Sequence, residues 1–158
     1  MKELIKKTPI LGPLARRIRR ELNFRLFPGS TDYWESHYAA GGTSGEGSYS
    51  KFAHFKAEIL NAFVAENHIQ SVIEWGSGDG NQAGLFQFPA YTGFDVSDTA
   101  LAKCRARYKD DPTKRFIAVK DYTGEKAELA ISLDVVYHLV EDAVFDAYMR
   151  QVFGSATR

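Results

Sequence analysis

Cysteine is almost absent from this chain: Cys104 is the only one in 158 residues. An intrachain disulfide is therefore impossible, and there is no Cys-x-x-Cys pair for redox chemistry or a metal. A reducing, cytoplasmic location fits that usage. Long hydrophobic runs are missing too, since no segment approaches the roughly eighteen apolar residues of a membrane span. The N-terminus is basic, but Pro9, Gly12 and Pro13 break its apolar stretch and leave no signal-peptide core. His37, His54 and His68 are scattered with no second ligand at metal spacing, so no metal site is expected.

Net charge is also lacking, with 20 basic and 20 acidic residues. The balance is uneven along the chain. Residues 1–25 carry eight basic and two acidic side chains, a net +6; the remaining 133 carry 12 basic and 18 acidic, a net −6. A basic arm thus precedes an acidic body. Such a body is a poor partner for a phosphate backbone, which excludes DNA binding. The length suits one domain with a sizeable core, and the division expected is an arm at 1–29 and a domain at 30–158. Within the arm, Leu4, Ile5, Ile10, Leu11, Leu14, Ile18 and Leu22 suggest two short amphipathic helical pieces separated around Pro9 and Pro13. Arg16, Arg17, Arg19 and Arg20 interleave with them. The arm either lies on an anionic membrane surface, at the inner face, or packs its apolar stripe on the domain. RNA binding by the arm is a weaker reading.

After the turn at Pro28-Gly29-Ser30 come the aromatics Tyr33, Trp34 and Tyr38, then a small-residue loop from Gly41 to Ser48. From about Tyr49 to Asn67 the pattern is helical, with Phe52, Phe55, Lys56 (by its stem), Ile59, Leu60, Phe63 and Val64 at three- and four-residue spacing. Short strands are expected at 71–75, 91–95, 115–120 and 129–133. Helices are expected at 98–108, capped by Ser97 or Asp98, and at about 141–153. Strands alternating with helices indicate βαβ units, hence an α/β fold with a doubly wound, mainly parallel sheet.

The informative segment is Glu74-Trp75-Gly76-Ser77-Gly78-Asp79-Gly80, where a strand ends in an acid and glycine then takes every second position. Glycines there permit close approach of a ligand to the backbone. A loop of this kind at the carboxyl edge of a parallel sheet, opening a helix, is where doubly wound folds bind nucleotide-like ligands. The dinucleotide fingerprint Gly-x-Gly-x-x-Gly would need a glycine or alanine at Asn81, and the third glycine comes one position early, at Gly80. No Lys-Ser/Thr pair follows, so a P-loop is excluded. The alternative is a plain tight turn between strand and helix. Asp95 ends the second strand 21 positions after Glu74, where a carboxylate accepts hydrogen bonds from ribose hydroxyls; the competing role is a cap for the following helix.

At these residues the sequence resembles the class I S-adenosylmethionine-dependent methyltransferases. The resemblance implies a Rossmann-like fold in which Glu74, Gly76, Gly78, Asp79 and Gly80 form the loop around the methionine part of the cofactor. It implies that Asp95, with Val96 beside it, holds the ribose. Asp121 and Tyr122 fall where the family contacts adenine, and Ser132-Leu133-Asp134-Val135-Val136 corresponds to the motif bordering cofactor and substrate. The stretch from Tyr33 to Tyr49, with Phe55-Lys56-Ala57-Glu58 and Gly78 to Gln82, is similar to a bacterial group associated with surface-polysaccharide clusters. That likeness implies that Trp34 and Tyr38 flank or cover the cofactor. The expected acceptor is a small molecule or glycan, and a hydroxyl acceptor needs a base. His138 is the candidate, because it follows the fourth strand where substrate should sit and histidine titrates near neutral pH, with Asp134 orienting the ring or contacting the cofactor's amino group. The alternative for His138 is a half-exposed histidine at a helix start. The family's sheet has seven strands and this sequence supplies four, so the fold is expected to be incomplete on its C-terminal side. The open fourth strand is then a site for a homo-oligomer or another partner. The alternatives are a non-catalytic, truncated cofactor-binding module and a nicotinamide-dependent oxidoreductase.

Overall fold

The computed structural model describes residues 27–157. The helical pieces expected in the basic arm, and any membrane contact they make, lie outside the described residues.

Four parallel strands make one sheet: β1 (Val72–Trp75), β2 (Tyr91–Asp95), β3 (Lys114–Ala118) and β4 (Leu129–Ser132), in the order β3-β2-β1-β4. Val72 pairs with Tyr91 on one side and Leu129 on the other, and Trp75 with Phe94 and Ser132. Sheet order reverses between β1 and its two neighbours. Such a reversal opens a crevice at the carboxyl ends of the strands.

Alternation along the strands sends side chains to two cores. On one face Val72, Tyr91, Phe116 and Ile131 join Ala83, Phe86 and Phe88. The helices α2 (Ser50–Glu66) and α3 (Asp98–Arg107) cover that face through Ala57, Val64, Leu101 and Cys104. On the other face Ile73, Trp75 and Phe94 pack under Tyr148 and Val152 of α4 (Asp142–Ser155). Trp75 Nε1 donates to Ser155 Oγ at 2.9 Å, and Tyr148 donates its hydroxyl to the Trp75 carbonyl at 2.9 Å. Those two bonds satisfy the polar atoms that burying a tryptophan strand would otherwise leave unpaired.

Strands and helices fall where the periodicity puts them, with four differences. Residues 30–39, expected only as an aromatic cluster, form a helix, α1 (Ser30–Ala39). The glycine-rich turn opens onto a single 3-10 turn, Gln82–Leu85, and not a full helix. The third strand ends at Ala118, and Val119–Asp121 turns away as 3-10. In α2 the residues facing the core are Ala53, Ala57 and Val64, with Leu60 packed beside them. Phe52, Phe55, Ile59 and Phe63 are instead 45–61% exposed. Ser97 caps α3 as expected, its hydroxyl accepting from Ala100 N at 3.1 Å.

Candidate cofactor and substrate site

A cavity of about 730 Å³ sits over the carboxyl ends of the strands, at the reversal point. That volume lies within the ordinary range for small-molecule sites. Each strand contributes: Gly76 and Gly78 after β1, Asp95 and Val96 at β2, Val119 after β3, and Leu133, Asp134 and Val135 after β4. Trp34, His37 and Tyr38 of α1, the 43–48 loop, His138 and the inner side of α4 complete the wall.

The floor is the glycine turn. Gly76 N and Ser77 N both donate to the Phe94 carbonyl, at 2.7 and 3.0 Å, folding the turn back over β2. Gly76 has φ +84°, and a Cβ there would come within 2.3 Å of Val135 Cγ2. Gly78 has φ +56°, and its Cβ would sit 2.1 Å from Ser44 Oγ. Both positions combine a backbone that L side chains avoid with a space they would fill.

Asp95 is buried on the cavity wall. Its Oδ2 accepts from Gly78 N at 2.8 Å and its Oδ1 from Ser97 N at 2.9 Å. Burial raises its pKa above the usual carboxylate value, against the pull of those backbone donors. Each oxygen keeps a further lone pair, so Asp95 fixes Ser97, the residue that caps α3, and can still accept from two hydroxyls. Asp79 works differently. It receives Tyr49 OH at 2.8 Å, Ser44 N at 3.1 Å and Asn81 N at 3.1 Å. Burial opposes its ionisation, yet these donors hold its pKa below the ordinary value. Ser44 Oγ returns a bond from Asp79 N at 2.9 Å. Asp79 therefore clamps the 43–48 loop onto the glycine turn.

Glu74 is 3% exposed and lies beneath the cavity, with the Tyr91 hydroxyl donating to its Oε2. Burial pushes its pKa up to about 7, opposed by the Tyr91 bond and by the Lys56 charge. Gly80 turns away toward Cys104 and Tyr108. Cys104 is packed, giving a weak bond from Sγ to the Gly78 carbonyl at 3.2 Å, and burial pushes its thiol up to about 12. Asp121 is exposed, and Tyr122 packs edge-on against Trp75 and Phe94. Of the residues expected to hold a cofactor, the cavity thus brings together Gly76, Gly78, Asp95, Val96, Leu133, Trp34 and Tyr38. Glu74, Asp79, Gly80, Asp121 and Tyr122 lie behind or beside it.

Asp134 does not orient His138. Its carboxylate is engaged by Lys56 Nζ at 2.6 Å. The His138 ring packs edge-on to Trp34, with centroids 5.1 Å apart, and lines the outer part of the cavity. Asp134 stands at φ +59°, and Gly47 lies so close over it that a Cβ there would meet Oδ2 at 2.1 Å.

Sequence reasoning missed two acids that fix α1 as a cover. Glu141 accepts from Ser30 N at 3.0 Å and from Ser30 Oγ at 2.5 Å, tying the start of α1 to the start of α4. Glu35 accepts from Ser97 Oγ at 2.7 Å, from Thr99 N at 3.2 Å and from the Thr99 hydroxyl. These bonds, that from the Thr99 hydroxyl foremost, keep the Glu35 pKa below normal. No spacing rule points to either acid, because their partners are over sixty residues away. Replacing Glu35 by alanine is expected to loosen α1 by about 1 kcal/mol, read as roughly fivefold faster amide exchange in α1 of the variant than in α1 of the wild type, with α3 unchanged. Equal protection in variant and wild type would refute that anchoring role.

No family model and no curated protein sequence matches the chain. Solved structures do. The methyltransferase domain of bacterial CtHen1 aligns with a TM-score of 0.56 at 21% identity, over 65% of this chain and 60% of that one. Magnesium protoporphyrin IX methyltransferase from Synechocystis PCC 6803, solved with S-adenosylmethionine, aligns at 0.61 and 15% identity, over 84% and 74%. An amino pentose methyltransferase from Micromonospora echinaspora, also with S-adenosylmethionine bound, gives 0.56 and 20%, over 79% and 52%. The chain spans about half to three quarters of the length of these proteins. At such identities the likeness concerns architecture: this chain has the Rossmann-like fold of S-adenosylmethionine-dependent methyltransferases.

Proposed function

We propose that the chain binds S-adenosylmethionine in this cavity and serves methyl transfer to a hydroxyl of a small molecule or glycan. The observation that carries the reading is the pairing of a glycine cradle with Asp95. Cβ atoms at Gly76 and Gly78 would collide with the cavity's own walls, and Asp95, at the end of β2, accepts from Gly78 N and keeps spare lone pairs. The solved neighbours that hold S-adenosylmethionine or S-adenosylhomocysteine support the choice of ligand. The glycine spacing speaks against a dinucleotide.

In this reading Asp95 accepts from the ribose hydroxyls, and Val96, Val119 and Leu133 give the adenine an apolar bed. Trp34 and Tyr38 close over it from α1. The cofactor supplies an electrophilic methyl carbon. The protein's task is to align the acceptor and exclude water, and alignment alone is worth on the order of 7–11 kcal/mol in well-oriented systems. His138, at the outer end of the cavity, takes the proton from the acceptor hydroxyl. Lys56 engages Asp134, the cavity carboxylate that follows β4, at 2.6 Å, which weakens its pull on an amine acceptor.

Thermal unfolding tests the ligand class: S-adenosylhomocysteine is expected to raise Tm and NAD to leave it unchanged. Stabilisation by NAD alone would point to a nicotinamide enzyme and end this reading. For the proton transfer, S-adenosylhomocysteine release is scored against a panel of hydroxyl compounds and glycans. His138→Asn is expected to slow turnover by about 10²–10⁴-fold, and an unaltered rate would remove His138 from the chemistry.

A further inference from the structure

In the reading above, the strand ends put the parts of the cofactor in order. The glycine turn follows β1, Asp95 ends β2 and Val119 follows β3, and β2 lies between the other two strands in the sheet. A ribose held by Asp95, with its 5′ arm toward the glycine turn, directs its base toward Val119. The end of β3 offers that base no polar side chain. Asp121 is exposed and does not line the cavity. Tyr122 spends its ring on Trp75 and Phe94 and its hydroxyl on the Glu125 carbonyl, at 3.2 Å.

α4 supplies what β3 does not. Val144, Ala147 and Gln151 follow one another at helical spacing on its cavity side. Val152, next to Gln151, packs on the same Trp75–Phe94 cluster as Val119 and Tyr122, which sets this length of α4 beside the end of β3. The helix is pinned there. Tyr148 donates to the Trp75 carbonyl at 2.9 Å, Ser155 Oγ accepts from Trp75 Nε1 at 2.9 Å, and Glu141 accepts from Ser30 N at 3.0 Å. Tyr148 is thereby engaged, by Trp75 and by Ser132. Gln151 faces the same cavity, and among the described residues no group takes up its amide.

We infer that Gln151 selects the base of the cofactor, its Oε1 accepting from the exocyclic amino group of adenine and its Nε2 donating to a neighbouring ring nitrogen. A primary amide presents an acceptor and a donor side by side, and the edge of adenine presents their complement. Glutamine and adenine pair in this way when proteins read nucleic acids. The rest of this end of the cavity is apolar, built of Val96, Val119, Val144 and Ala147. A base that leaves the amide unpaired in such surroundings loses the bond and strands a desolvated polar group. The inference rests on the cofactor reading above and adds to it the residue that recognises adenine, on α4 and not at the end of β3.

Calorimetry on the full chain compares S-adenosylhomocysteine with the analogue in which purine, lacking the 6-amino group, replaces adenine. Wild type is expected to prefer the amino compound by about tenfold, and Gln151→Leu to bind the two alike. Leucine keeps the helix propensity, and circular dichroism should stay native. A preference that survives in Gln151→Leu overturns the inference. So does a preference that disappears in Asp121→Ala with Gln151 intact, which would return the base to the end of β3. Wild type that binds both compounds equally overturns it too, while cofactor binding itself stands. A folded chain that binds neither contradicts the cofactor reading, and the role of Gln151 falls with it.

Discussion

Exchanging Glu74 for glutamine is expected to stabilise the protein at alkaline pH and to leave it nearly unchanged at acid pH. Burial, opposed by the Tyr91 hydroxyl and the Lys56 charge, lifts this carboxyl from an ordinary 4.5 to about 7 in the fold. Between those values the folded chain keeps a proton that the unfolded chain releases. Stability therefore falls as pH rises through that window, by up to about 1.4 kcal/mol per pH unit and by about 3 kcal/mol in all. Glutamine keeps the shape and the acceptor for Tyr91 but has no charge to bury. Chemical denaturation of both proteins at about pH 5 and about pH 8 reads the difference. Wild type should lose stability between the two and Glu74→Gln should not, beyond what other groups contribute equally to both. Identical pH dependence would mean that Glu74 is not buried as described.

Gly78→Ala is expected to have the largest effect on the site. The new methyl would lie 2.1 Å from Ser44 Oγ and 2.8 Å from Tyr38 OH, at a φ of +56°. The backbone conformation alone costs about 1–2 kcal/mol for an L side chain. Displacing Ser44 also breaks its bonds to Asp79 N and Tyr38 OH, at 2.9 and 3.0 Å, and with them the seat of the 43–48 loop. Together these effects should lower stability by about 2–4 kcal/mol and weaken S-adenosylhomocysteine at least about tenfold. Gly124→Ala is the control, since φ is +105° there but nothing stands within 4 Å. It should lose some stability and keep affinity. Binding reduced equally in both variants would show that the loss is global and not a property of the glycine cradle.

The strands were legible because β1, β2 and β4 are short apolar runs bounded by turn residues, and α3 because Ser97 marks its start. Asp95 was legible from position: an acid at the end of the second strand. α1 was not, since Tyr33, Trp34 and Tyr38 do not make a continuous stripe. The helix is instead held by Glu35 and Glu141 to residues 62 and 111 positions away. The long-range pair of Lys56 and Asp134 was hidden in the same way, with 78 residues between them. For α2 the helical period was correct and the buried side was not. Three phenylalanines and an isoleucine outweigh alanines in any hydrophobic pattern, yet the sheet lies against the alanines. Glu74 shows a different limit. Its place in the glycine motif suggests ligand contact, while its burial under the turn depends on how β1 sits within the sheet.

Calorimetric titration of S-adenosylhomocysteine into the purified chain, beside Asp95→Ala and with NAD as the comparison ligand, tests the central claim most directly. The account predicts micromolar binding to the wild type, a loss of about tenfold or more in Asp95→Ala, and no heat with NAD. A folded chain that ignores S-adenosylhomocysteine, or binds it equally well without the Asp95 carboxylate, would contradict it.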